Sequence, residues 1–102
     1  MIVHEFDISK LNEIIASGDI ILDFYADWCG PCKMLAVELD SYVKENNDVN
    51  IYKINVDNNP EVARSYGIMT IPTLILYKDG KLVDKHIGYF TSDELREWIK
   101  GA

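Results

Sequence analysis

Ile20-Ile21-Leu22-Asp23-Phe24-Tyr25-Ala26-Asp27-Trp28-Cys29-Gly30-Pro31-Cys32 decides the architecture of this chain. Ile20 to Ala26 is a nearly continuous apolar run of strand length. Such a run suits a strand buried on both faces, in a sheet covered by helices. A helix is expected from about Pro31 to Glu45, with Leu35, Leu39, Tyr42 and Val43 as its apolar stripe. Pro31 suits the first helical turn, where no N–H is needed. The only two cysteines, Cys29 and Cys32, therefore fall where a buried strand hands over to a helix.

Strand-like and helix-like patterns alternate on either side of this segment. Ile2 to Phe6 reads as a short strand. Asp7 or Ser9 caps a helix whose face is Leu11, Ile14 and Ile15, and Gly18 ends it. Asn50 to Val56 reads as a strand, and Asn59-Pro60 opens a short helix that Gly67 closes. Thr73–Tyr77 and Lys81–Ile87 are two strands joined at Asp79-Gly80, a strong hairpin signal. Thr91-Ser92-Asp93-Glu94 is a capping box for a last helix that buries Leu95, Trp98 and Ile99. The order β-α-β-α-β-α-β-β-α implies parallel crossovers first and an antiparallel end. A mixed sheet with helices on both faces satisfies both, within one domain over residues 1–102.

Composition narrows the function. Seventeen acidic residues against ten basic ones leave a formal charge of −7. That charge repels nucleic acid and anionic membranes, and it favours a soluble monomer. No apolar run approaches the roughly 18 residues of a membrane span. Met1-Ile2-Val3-His4-Glu5 has no basic segment followed by an apolar one, so a cytoplasmic protein is expected. Cysteine pairs in that reducing compartment are catalytic or metal-binding more often than structural.

A structural zinc takes about four ligands. Cys29 and Cys32 supply two, and the only histidines, His4 and His86, lie at opposite ends at no zinc-like spacing. They read as surface or sheet-edge residues, and a metal shared across a dimer stays open as an alternative. A redox pair accounts for more of the sequence. Cys29 at a helix N-terminus gains from free N–H groups and the helix dipole, which stabilise the attacking thiolate. Cys32, one turn on, is close enough to close the disulfide and more shielded. Cys29 is then the nucleophile and Cys32 the resolving thiol. Gly30 admits a substrate backbone, and Pro31 stiffens the turn and helps set the potential. Asp23, amid Ile21, Leu22 and Phe24, is either a desolvated base or a carboxylate satisfied by backbone or water. Pro72 before a strand marks a tight turn. Only about 5–6% of X–Pro bonds are cis, so the residues alone leave its isomer open. Trp28 beside the cysteines reads as a docking residue more readily than as packing.

These residues resemble the thioredoxin family over essentially the whole chain. Asp23 to Lys33 looks like the active-site segment of that family. Lys53-Ile54-Asn55-Val56-Asp57, Tyr66-Gly67-Ile68, Ile71-Pro72-Thr73 and Asp79-Gly80 follow at the family's separations. The resemblance implies an α/β thioredoxin fold with five strands in the order 1-3-2-4-5. It implies that Pro72 is cis and faces the cysteines, and that the Ile71 backbone pairs with an extended target segment. Trp28, Thr70, Ile71, Ile87, Gly88 and Tyr89 would form the docking rim. Asp23 would take and return the Cys32 proton, with Lys53 as its charged neighbour. The activity implied is protein disulfide reduction through a mixed disulfide, with no bound cofactor beyond the Cys29–Cys32 disulfide. The partners implied are disulfide-containing proteins and a thioredoxin reductase, in this family most often an NADPH-dependent flavoenzyme.

Tyr25, Val37 and Thr70 depart from common family residues, which are Trp, Pro and a smaller side chain. A straighter long helix and a narrower rim are the expected consequences. A disulfide oxidase or isomerase is disfavoured by Gly30-Pro31, as is a glutaredoxin-like role. A pure binding module is disfavoured by the intact cysteine pair with Asp23.

Overall fold

The strand at the centre of the molecule is the apolar run read first in the sequence. The computed structural model describes all 102 residues. The elements are β1 (Ile2–Val3), a 3-10 turn (Ile8–Lys10) leading into α1 (Leu11–Ile14), β2 (Asp19–Tyr25) and α2 (Gly30–Glu45). They continue with β3 (Asn50–Asn55), α3 (Pro60–Ser65), β4 (Thr73–Lys78), β5 (Lys81–Ile87) and α4 (Ser92–Gly101). In β2, Ile20 to Phe24 are all buried. It is hydrogen-bonded on both edges, parallel to β3 and antiparallel to β4. The sheet order is β1-β3-β2-β4-β5, as the family resemblance implied.

Alternation along β2 divides the core. Ile21 packs with Leu35, Leu39 and Tyr42 of α2 and with Leu95 and Ile99 of α4. Ile20, Leu22 and Phe24 point the other way, against Leu11 of α1 and Ala63 of α3. Asp23 has the parity of Ile21 and so shares the α2 side. Burying each large aliphatic or Phe side chain stabilises the fold by about 1.5–3 kcal/mol.

Local chemistry fixes the ends. Asp79 and Gly80 both have positive φ, 49° and 86°, as a two-residue hairpin of the primed type requires. The Asp79 carboxylate accepts from the Gly18 N–H at 3.0 Å, tying the hairpin to the loop before β2. At α4, Thr91 Oγ1 accepts from the Glu94 N–H while Glu94 Oε1 accepts from the Thr91 N–H, so the expected capping box forms. Glu38 of α2 accepts the Ser92 N–H at 2.8 Å and pins the two helices together. Trp98 is half-buried beside the fully buried Leu95 and Ile99.

Two elements are shorter than the sequence suggests. The first strand stops at Val3 instead of reaching Phe6. Ile2 packs on the α2 side of the sheet, while Phe6 packs on the α1 side with its ring edge against Tyr52 at 5.1 Å. Residues four apart in one strand share a face, so the strand has to end between them. The first helix is a 3-10 turn capped by Asp7 and then a single α-turn closed at Ile15. Gly18, at φ 79°, redirects the chain into β2.

Candidate redox site

Cys29 is the N-cap of α2 and Gly30 and Pro31 form its first turn, so the helix begins one residue earlier than the sequence suggested. Cys29 and Cys32 are joined by a disulfide, and both are buried. The Cys32 N–H donates to Cys29 Sγ at 3.2 Å. A free helix N–H aimed at that sulfur stabilises negative charge on it once the disulfide opens. A Cβ added at Gly30 would meet nothing within 4 Å, and Gly30 and Pro31 are both exposed. The glycine there leaves open space outside the sulfurs and is not needed for packing.

The opposite wall is the turn before β4. The Ile71–Pro72 peptide is cis, and Cys29 Sγ lies 3.9 Å from the Ile71 carbonyl oxygen. Gly88, at φ 98°, donates its N–H to the Pro72 carbonyl at 2.9 Å and so ties the β5–α4 turn to the same place. Ile87 and Tyr89 on either side of it are exposed, as is Thr70. Trp28 is 70% exposed, and its indole N–H donates to Asp57 Oδ2 at 2.8 Å.

On the α2 side of the sheet, β2 supplies one buried charge. Asp23 is 2% exposed, paired only with Lys53 Nζ at 3.6 Å, and its Oδ1 has no partner. Burial pushes the Asp23 carboxyl up to about 6, with the Lys53 charge pulling the other way. An isolated buried carboxylate is costly, so Asp23 keeps its proton far more readily than a surface Asp. Lys53 also lines a small opening of about 130 Å³ with Cys32, Tyr25, Ala26, Asp27, Lys33 and Ala36. The site therefore holds a disulfide, a proton-binding carboxylate and a water-sized path toward the inner sulfur.

Some of the site was not read from the sequence. Asp57 anchors Trp28 from 29 residues away, which no local pattern reveals. Trp28, Val56, Ile68, Met69 and Ile71 line an all-apolar notch beside Cys29, and Met69 is 95% exposed. The apolar stretch Ile68-Met69 in a loop just before Pro72 was a usable signal. His86 stacks on Phe90 at 3.8 Å and His4 is exposed, at opposite ends of the sheet, and no group of three or more potential metal ligands exists. The two remaining departures are also placed. Val37 is 65% exposed on an α2 that runs unbroken from Gly30 to Glu45. Tyr25 lies under the Lys53 ammonium.

A disulfide at a helix N-terminus, beside an open peptide edge and following a strand that carries a protonatable carboxylate, defines a thiol–disulfide oxidoreductase of thioredoxin fold. The thioredoxin family model matches residues 3–101. A thioredoxin of Chlamydia caviae is 50% identical over 86 residues, covering 84% of each chain. One from Rickettsia typhi is 43% identical over 101 residues, covering 97% of this chain and 96% of that one. The oxidised mitochondrial thioredoxin 3 of Saccharomyces cerevisiae superposes with a TM-score of 0.87 at 33% identity, over 99% of this chain and 95% of that one. The chain belongs to the thioredoxin family.

Proposed function

We propose that this single domain, residues 1–102, is a general protein disulfide reductase. The Cys29 thiolate attacks a target disulfide, forming a Cys29–target disulfide and releasing one target thiolate, which takes a proton. Cys32 gives its proton to Asp23, and its thiolate attacks the Cys29 sulfur. The second target thiolate leaves, and Cys29 and Cys32 are left as a disulfide. Two electrons pass to the target. The observation that carries this reading is the Cys32 N–H held 3.2 Å from Cys29 Sγ at the start of α2. It favours Cys29 as the leaving and attacking sulfur, and leaves the proton problem to Cys32.

Lys53 limits how far burial raises Asp23, so that the carboxyl exchanges a proton near neutral pH. Pro72 cannot offer an N–H to a thiolate. The Ile71 N–H and carbonyl have no backbone partner in the chain, which suits pairing with an extended target segment. Trp28, Thr70, Ile71, Ile87, Gly88 and Tyr89 form the docking rim, and Gly30 and Pro31 tune the potential. With two cysteines in all, the domain needs an outside donor of electrons, a thioredoxin reductase using NADPH and flavin. It works in the cytoplasm as a monomer, and no helix is long and apolar enough to cross a membrane.

The reduced protein is expected to reduce insulin's interchain disulfides, and Cys29→Ser to fall to the rate of the dithiol reductant alone. Full turnover by Cys29→Ser would overturn the assignment.

A further inference from the structure

We infer that Tyr25 is a positioning residue whose ring face holds the Lys53 ammonium against the Asp23 carboxylate. This rests on the reading of Asp23 as the proton acceptor for Cys32. Strand register creates the arrangement. Asp23 pairs with Lys53 and Tyr25 with Asn55 across the parallel β2–β3 ladder. Asp23 and Tyr25 are two apart and share a face, and Lys53 opposite Asp23 is diagonal to Tyr25. Lys53 Nζ sits 4.5 Å from the Tyr25 ring centroid and 3.6 Å from Asp23 Oδ2. The first distance is well inside the roughly 6 Å reach of a cation–π contact. Tyr25 also packs against the buried cluster of Ala26, Cys29 and Cys32, which fixes its ring.

The Lys53 amine has somewhere else to go. It lines a polar cleft of about 310 Å³ together with His4, Glu5 and Asn58. On the other side it lines the smaller opening shared with Cys32, Asp27 and Lys33. Tyr25 borders both. From β4, the residue opposite Asp23 is the apolar Leu74, which offers no competing charge. A lysine is a flexible, strongly hydrated point charge. Without the ring, water and the Glu5 carboxylate draw it into the larger cleft, away from Asp23. The Lys53 charge is what holds the carboxyl down against burial, so its departure moves Asp23 further up.

The test is the titration of the Asp23 carboxyl carbon, followed by NMR in the oxidised protein. Tyr25→Leu raises its midpoint by about half a unit to one unit, a roughly three- to ten-fold gain in proton affinity. Tyr25→Phe keeps the ring and the unaltered midpoint. In a Lys53→Met background, Tyr25→Leu has no effect. An unmoved midpoint in Tyr25→Leu overturns the inference. So does a shift of the same size without Lys53, because the ring then acts by packing. If Tyr25→Leu does not fold, the Lys53 ε-methylene protons of the unaltered protein decide. A ring-current upfield shift supports the contact, and random-coil positions overturn it. Normal turnover by Asp23→Asn would remove the proton-acceptor role while leaving the midpoint result standing. The two readings therefore fail separately.

Discussion

The two faces of the sheet handle polarity in opposite ways. On the α1/α3 face the buried polar atoms complete one another: the Tyr66 and Tyr77 hydroxyls share a hydrogen bond of 2.9 Å at the edge of an otherwise apolar cluster. On the α2/α4 face a carboxylate sits at 2% exposure with one oxygen unpartnered and a single ion pair at 3.6 Å. Both faces come from one strand, β2, whose alternation sends Phe24 to the first and Asp23 to the second. The contrast shows where the fold is built for stability and where it gives stability up. The other unpartnered buried side-chain atom, His86 Nε2, is a ring nitrogen packed by Phe90 and Trp98, so Asp23 is the one buried carboxylate left short of partners.

The largest effect is expected on the satisfied face. Phe24 is fully buried, packs in the Leu22–Ile54 cluster and meets the Tyr66 ring at 5.3 Å. Phe24→Ala removes both the transfer term and the packing, and should cost about 3–5 kcal/mol in urea unfolding. It lies one residue from Asp23. A change under about 1 kcal/mol would mean that this face is loosely packed, and the contrast between the faces would collapse.

The reverse sign is expected next door. The Asp23 carboxyl rises from 3.8 to about 6 on folding, because burial disfavours its charge. The folded state therefore holds a proton that the unfolded chain has already lost. The stabilisation from that proton is complete below pH 3.8 and is lost as the pH climbs through about 6. At pH 7 the oxidised protein should carry a penalty of about 3 kcal/mol from this one group. Asp23→Asn should be more stable by an amount of that order at pH 7 and should show no such gain near pH 4. Urea midpoints measured across that range read it directly. Equal profiles for the two proteins would mean that Asp23 is not desolvated, and the second face would resemble the first.

Much of this contrast was legible in the sequence. An aspartate inside Ile20–Ala26 is conspicuous because an apolar run has no cheap place for a charge. Capping chemistry, the Asp79-Gly80 turn and the helix stripe were legible for the same reason, since each is written within a few neighbouring residues. Long-range pairings were not. Trp28 to Asp57 and Tyr66 to Tyr77 join side chains whose separation in sequence says nothing about distance. The end of β1 was misread because nothing local marks the residue at which Phe6 crosses to the other face. The isomer of Pro72 and the neighbour of Asp23 came from family resemblance and not from the residues.

The smallest effect sharpens the comparison most. Tyr66→Phe leaves the Tyr77 hydroxyl without its partner on the satisfied face. The expected loss is about 1 kcal/mol, the usual net worth of one hydrogen bond. Burial pushes the Tyr66 phenol up from 10, so that hydroxyl stays neutral below that. The loss should therefore be the same at pH 4 and pH 8, where the Asp23 contribution changes completely. Removing both hydroxyls, in Tyr66→Phe/Tyr77→Phe, should recover most of it, because neither oxygen is then buried alone. A double variant worse than the single one would show that the hydroxyls do more than satisfy each other. Polarity on this face would then not be settled by mutual hydrogen bonding, and the contrast across β2 would have to be redrawn.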